Sequence, residues 1–293
     1  MTGPSDRRPV VVGVGPDPGL RMALAWAADE AARRGLPLRV VHAEGVPTRG
    51  YRGRTVPPSW EEWNEALHKA GEQVVEEAAE FVAHRQPKLE VDALLSEGDP
   101  VWVLREQSRE AAAVVLGSRH LSRAQEVFGS ASVALPVVAR AHCPVVVVPE
   151  PEHVTQEPAY VVVGVDGSER SAAAVDLAFE EAALRGAELR ALYVWEPGHV
   201  RIFDEYADQQ ECRRVLSETV AGRQARYPEV DLRHELVVGH PVEVLAQASA
   251  HALALVVGTR GRGGFAGMLM GSVSQGVLHH AHCPVIAVPQ PRP

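Results

Sequence analysis

The strongest constraint on this chain is that its second half repeats its first. VVVGV at 10–14 returns at 161–165, and DEAARRG at 29–35 returns as EEAALRG at 180–186. GDPV at 98–101 returns as GHPV at 239–242, and AHCPV at 141–145 returns at 281–285. The order is kept and the spacing nearly so. The unit is half of a 293-residue chain, far longer than the roughly 20–45 residues of a solenoid repeat. A whole domain has therefore been duplicated. The Pro- and Glu-rich stretch from Pro149 to Pro158 reads as the linker. It leaves domains of 1–150 and 158–293, each long enough to bury its own core.

Within each copy, short apolar runs alternate with helical patterns. The first copy reads as strands at Val10–Val14, Leu38–Ala43, Leu89–Leu95, Val114–Leu116 and Val145–Val148. Helices fall at 19–34, stopped by Gly35, from a capping box at Ser59–Glu62 toward His84, at Pro100–Ala112, and within Gly129–Ala141. The second copy has strands near 160–165, 189–194, 232–238, 253–257 and 285–288, with helices between them. Runs that are apolar throughout suit strands buried on both faces. Strand–helix alternation means βαβ units and a parallel sheet. Ligands on such sheets bind beyond the carboxyl ends of the strands, at the point where strand order reverses.

One loop sits at that end. The run LALVV at 253–257 enters Gly258-Thr259-Arg260-Gly261, and Gly271-Ser272 follows, giving G-x2-G-x9-G-S. Glycines after a strand leave backbone N–H groups unshielded by side chains. Such groups converge on phosphate oxygens, and a helix N-terminus beside them adds the positive end of a dipole. Ser272 and Ser274 are suited to cap that helix, to bind phosphate, or to both. Arg260 and Arg262 either offset phosphate charge or are solvated surface arginines. The ordinary alternative for the whole segment is a flexible surface loop.

Composition removes several function classes. A formal net charge of −9 argues against nucleic acid and against an anionic membrane surface as partners. No apolar run approaches the roughly 20 residues of a membrane span, and the N-terminal residues lack a signal-peptide core. Cys143, Cys212 and Cys283 are an odd number, which favours reduced thiols in a cytoplasmic setting. His142 and His282 each precede Cys-Pro, but a single His-Cys lacks the spaced pairs of a zinc site; turn residues are the expected reading. His279-His280 reads as a polar helix end, and Trp60 and Trp63 as core packing. No catalytic set, Gly-Lys-Ser/Thr phosphate loop or Ser/His/Asp arrangement stands out, and no metal-ligand set is expected.

The first-strand run from Val161 through Asp166-Gly167-Ser168, the Gly258–Ser272 spacing and the final Cys283-Pro284-Val285 strand resemble the universal stress protein family in its tandem form. The resemblance covers nearly the whole chain and implies an α/β fold of two tandem flavodoxin-like (HUP/Rossmann-like) domains. Each would be a five-stranded parallel sheet of order 3-2-1-4-5 with helices on both faces. It also implies ATP, with Mg2+, in the second domain. Gly164, Val165 and Asp166 would meet the nucleoside, with the Asp166 carboxylate accepting from sugar or base donors. Backbone groups of Val194 would meet the adenine edge. Gly258, Arg260, Gly261, Arg262, Gly271, Ser272, Val273 and Ser274 would hold the phosphates. The function so implied is a nucleotide-responsive regulatory module in the stress response, with a protein partner that the sequence does not name. The alternatives are a slow ATPase or nucleotidyl-transfer enzyme on the same fold, and a structural, partner-binding protein.

The first copy departs from the pattern. Gly15 stands where the second copy has Asp166, His120 stands for Gly261, and the following loop is one residue shorter, although Gly13, Gly117, Gly129 and Ser130 are kept. The expectation is a degenerate nucleotide site there, unless Asp17 supplies the missing carboxylate. The apolar fifth strands, Val145–Pro149 and Pro284–Pro289, are sheet edges that invite pairing. Pairing with each other is expected from the family, and homodimerisation of the chain is a further option.

Overall fold

Valine-rich runs form the centre of each half. The computed structural model describes residues 7–16, 21–44, 60–118, 132–150, 154–197, 205–261 and 269–290, with backbone only at Trp60, Glu61, Trp63, Arg170 and Glu205. The chain divides into two compact units, Met1–Glu150 and Pro151–Pro293. The first contains β1 (Val10–Gly13), α1 (Arg21–Arg34), β2 (Leu38–Glu44), α2 (Trp60–Arg85), β3 (Val91–Glu97), α3 (Pro100–Gln107), β4 (Ala113–Gly117), α4 (Ala134–Arg140) and β5 (Val145–Val148). Its strands are all parallel, in the order β3-β2-β1-β4-β5. Helices α1 and α2 pack together, and so do α3 and α4, so the sheet is covered on both faces.

The second unit repeats this with β6 (Tyr160–Val165), α5 (Glu169–Arg185), β7 (Glu188–Trp195), α6 (Glu205–Val220), β8 (Leu232–Val238), α7 (Pro241–Ala248), β9 (Ala254–Gly258), α8 (Ser272–His280) and β10 (Val285–Val288). The order is β8-β7-β6-β9-β10, again parallel. In both units the first strand lies at the centre and is wholly buried over its valines, Val10–Val12 and Val161–Val163. Burial on both faces explains why these strands show no polar alternation. The path moves outward on one side of the first strand and then returns to its other side, so the switch point lies between β6 and β9.

Repeated residues play matching parts. Glu30 and Glu181 are buried in α1 and α5, and each is paired with the arginine four residues on, Arg34 and Arg185. Gly35 and Gly186 follow these helices with φ of 63° and 59°, the left-handed conformation that ends a helix at little cost to glycine. The amides of His142 and His282 donate to Ser108 Oγ and Ser249 Oγ, at 3.0 and 2.9 Å. These histidines thus stand in the turns that lead into β5 and β10.

The same serines correct one expectation. Helix α3 ends at Gln107, not Ala112. The Ser108 hydroxyl donates to Arg105 O at 2.5 Å while receiving the His142 amide, and the chain turns toward β4. Ser249 does likewise with Ala246 O at 2.6 Å, where α7 passes into a short 3-10 turn, Ser249–His251. Strand β3 starts at Val91, two residues after the expected Leu89, whereas α4, Ala134–Arg140, falls within the expected Gly129–Ala141. Ser59 of the expected capping box and the side chains of Trp60 and Trp63 lie outside the described residues. No helix among the described residues is long and apolar enough to cross a membrane.

Candidate functional site

Three carboxyl strand ends and one helix start meet in the second unit. They enclose a cavity of about 530 Å³. From the end of β6 come Gly164, Val165 and Asp166; from β7, Leu192, Tyr193 and Val194. From β9 and the loop after it come Val257, Gly258, Arg260 and Gly261, and from the start of α8 come Gly271, Ser272, Val273 and Ser274. Apart from Arg262, which lies outside the described residues, every site residue expected from the sequence lines this one cavity.

The loop after β9 is held at its base by backbone bonds. Thr259 N donates to Val288 O, and Gly271 N donates to Thr259 O, both at 2.9 Å. The second bond draws the two limbs of the loop together. A side chain at Gly271 would place its Cβ 3.4 Å from Arg260 Cα and 3.6 Å from Gly261 N. Arg260 Nε donates to Leu269 O at 3.2 Å and crosses the same gap.

Gly271, not Ser272, is the N-cap of α8, and no side chain caps this helix. The serines therefore act differently from each other. Ser272 is the first helical residue and lines the cavity, whereas the Ser274 hydroxyl donates to Gly258 O at 2.6 Å and closes the end of β9. The uncapped first turn presents N–H groups and the positive end of the helix dipole to the cavity, which suits an anion.

Asp166 stands across from this loop. Its Oδ1 accepts from Ser168 N at 2.9 Å and from Ser168 Oγ at 2.7 Å. Ser168, rather than Asp166, is the N-cap of α5, accepting from Ser171 N at 3.2 Å. The other carboxylate oxygen faces Gly261: a Cβ built there would lie 2.2 Å from Asp166 Oδ2. Gly261 does not have the left-handed backbone of Gly35 or Gly186, so it is space that excludes a side chain.

Sequence reasoning missed part of the wall. Ser171 of α5, Tyr193 and Leu192 of β7, and Pro241 and Leu245 of α7 also line the cavity. A Cβ at Gly164 would stand 3.2 Å from Leu245 Cδ1, so α7 packs closely under the end of β6. The one available signal was the repeated Gly-x-Pro-Val, which starts both α3 and α7 with proline in the first turn.

In the first unit, Gly13 ends β1, Gly117 ends β4, and Gly15 follows β1 in the position that matches Asp166. A Cβ at Gly13 would meet Leu116 Cδ2 at 2.7 Å and Leu104 Cδ2 at 3.2 Å, so Leu104 of α3 packs as Leu245 does. His42, at the register position matching Tyr193, contacts Val14 O through Nδ1 at 2.9 Å. Asp17, His120, Gly129 and Ser130 lie outside the described residues.

Comparison with known proteins gives a consistent result. Residues 6–149 and 160–289 each match the universal stress protein family. A universal stress protein of Mycobacterium tuberculosis (strain ATCC 25618 / H37Rv) is 39% identical over 299 residues, covering 99% of this chain and 100% of that protein. A second one from the same strain is 35% identical over 286 residues, covering 94% and 95%. Among solved structures, a universal stress protein from Archaeoglobus fulgidus DSM 4304 has a TM-score of 0.74 at 18% identity, with 98% of each chain covered. That last likeness is one of fold.

Proposed function

Because this chain belongs to the universal stress protein family, with a copy of the family's domain in each half, we propose that its second domain binds ATP and that the protein is a nucleotide-responsive regulatory module. The observation that carries this reading is the convergence of the Gly258–Gly261 loop and the uncapped start of α8 on one cavity that also contains Asp166 and Val194. The amide groups at Ser272 and Val273, with Arg260, suit the phosphates. Oδ2 of Asp166 suits a hydroxyl donor of the sugar, since an ionised carboxylate only accepts. Backbone groups of Val194, at the end of β7, suit the adenine edge. A volume of about 530 Å³ falls within the range of small-molecule pockets, about 300–1,000 Å³.

Asp166 is the one carboxylate among the lining residues, and no cluster of three metal-ligating side chains occurs among the described residues. That donor set suits Mg2+ arriving with the nucleotide, held mainly by phosphate oxygens and at most by Asp166 from the protein. When bound, the cation would neutralise phosphate charge beside the Asp166 carboxylate. The regulatory reading over an enzymatic one rests on the same residue. Asp166 is the only candidate base among the described lining residues, and its Oδ1 is already engaged by two donors. Three unpaired cysteines fit a cytoplasmic setting. We assign the site to the second domain alone, because Gly15 removes the carboxylate from the first.

Titration calorimetry with ATP, ADP, AMP and cyclic nucleotides tests the proposal. Saturable ATP binding that is weakened by Asp166→Ala is expected, with negligible turnover in a phosphate-release assay. Purified, folded protein that neither retains nor binds any nucleotide would overturn it. Turnover abolished by Asp166→Ala would favour the enzyme.

A further inference from the structure

We propose that Ser168 is a positioning residue that decides which oxygen of Asp166 the second domain presents to its ligand. The inference rests on the reading of this cavity as a nucleotide site and adds a residue to it that does not line the cavity. Ser168 has one hydroxyl proton, and it is donated to Asp166 Oδ1 at 2.7 Å. Its backbone N–H reaches the same oxygen at 2.9 Å. An oxygen held by two donors in this way has little capacity left for a ligand. The carboxylate plane is thereby fixed with Oδ2 turned to Gly261, where only a glycine leaves it room.

Ser168 also accepts the Ser171 amide as N-cap of α5. Ser171 in turn is buried and donates its hydroxyl to Ser168 O at 3.0 Å, so Ser168 is held from both of its backbone ends and has little freedom to release Asp166. Capping and positioning use different parts of the hydroxyl: the lone pair caps, and the proton positions. They can therefore be separated. Aspartate caps a helix as well as serine does, but it has no proton to give and brings a second negative charge against Asp166. Threonine retains both functions. In the sequence of the first copy, Asp17 occupies the position matching Ser168, and the residue matching Asp166 is Gly15, which needs no donor.

The test compares Ser168→Asp, Ser168→Ala and Ser168→Thr in the full chain by two readouts. The first is the Gly261 amide resonance in the ligand-free protein, assigned by NMR, which reports on the Asp166 Oδ2 contact whether or not nucleotide binds. The second is ATP affinity by calorimetry. Ser168→Asp is expected to remain folded, to move the Gly261 resonance as Asp166→Asn does, and to weaken ATP binding about tenfold or more, in line with loss of a hydrogen bond to a charged group. Ser168→Thr is expected to restore both signals. A Gly261 resonance unmoved by Ser168→Asp and Ser168→Ala, although moved by Asp166→Asn, would overturn the positioning role. Should the wild-type protein fail to bind ATP, the ATP reading falls, and the Gly261 resonance still decides the role of Ser168.

Discussion

Replacing Gly261 by valine probes the site at its tightest point. The first atom of any side chain there would stand 2.2 Å from Asp166 Oδ2, against an ordinary contact of at least 3.4 Å. Either the loop withdraws or the carboxylate rotates away from its place. Rotation costs about 0.5–1.5 kcal/mol for an off-rotamer side chain and stretches the two bonds from Ser168. Bonds to a charged group are each worth about 1.5–3 kcal/mol. Withdrawal of the loop instead moves the Gly261 backbone away from a bound phosphate. On either path the complex loses at least one charge-assisted bond, so the Kd for ATP should rise about tenfold or more. Folding should persist, because Gly261 borders a cavity and its backbone suits any residue. Calorimetry supplies the Kd, and a thermal melt checks the fold. An unchanged Kd in a folded Gly261→Val protein would refute the assignment of this loop as the cradle. Repeating the substitution in an Asp166→Gly background separates the two paths. If the carboxylate clash dominates, valine costs much less there; fully additive losses would refute that cause and leave the withdrawn backbone.

Calorimetric stoichiometry should be about one ATP per chain, with the affinity weakened by Asp166→Ala; two equivalent sites would instead make Asp17 the substitute carboxylate of the first copy. Burial pushes the thiol pKa values of Cys143 and Cys283 up to about 12, so at pH 8 an alkylating agent should modify Cys212 alone until the protein is unfolded, as read by mass spectrometry. The hydrogen bond and charge of Glu44 raise the His68 pKa above 6.5, so this pair stabilises the fold at acid pH and the contribution is lost as pH rises through the folded-state pKa. An NMR titration should find the His68 value lowered in Glu44→Gln; no change would refute the pairing. Gly276→Ala puts a Cβ 2.5 Å from Val242 Cγ2 and should destabilise the α7–α8 contact by about 1–3 kcal/mol, measured by denaturant melts; a neutral result would show that Val242 can turn aside.

Legibility in the sequence followed how local each determinant was. Strands β5 and β10 were readable to the residue, because four apolar residues after proline leave no other reading. That Gly258, Gly261 and Gly271 would come together at one site was readable because their spacing is itself the signal, and all three line one cavity. The end of α3 was not: RE at 109–110 and AA at 111–112 favour a helix by propensity, but Ser108 is engaged by a histidine amide 34 residues away, which no local pattern reports. The α7 wall was missed for a similar reason. Its apolar side is visible as periodicity, but that it packs beneath Gly164 depends on β6 and α7 meeting in space. Gly276 reads as a weak spot inside α8, since glycine costs about 1 kcal/mol relative to alanine in a helix, yet it is required by the approach of Val242.

The contact between Asp166 and Gly261 changes how the two copies compare. Read along the sequence, Gly15 for Asp166 and His120 for Gly261 are two separate losses. In the folded second unit the two positions touch, and each limits the other: a carboxylate at 166 demands a glycine at 261, and a side chain at 261 is compatible only with a small residue at 166. Where Gly15 stands in place of the carboxylate, that steric reason for glycine at the matching position is absent. Ser168 extends the argument, since a hydroxyl donor next to the carboxylate has no use where the carboxylate is gone, and the sequence of the first copy has Asp17 at that position. The differences at the positions of Asp166, Ser168 and Gly261 thus fall on one corner of the second unit's cavity, where the proposed ligand's sugar and phosphates would meet; the shorter loop of the first copy is a separate difference.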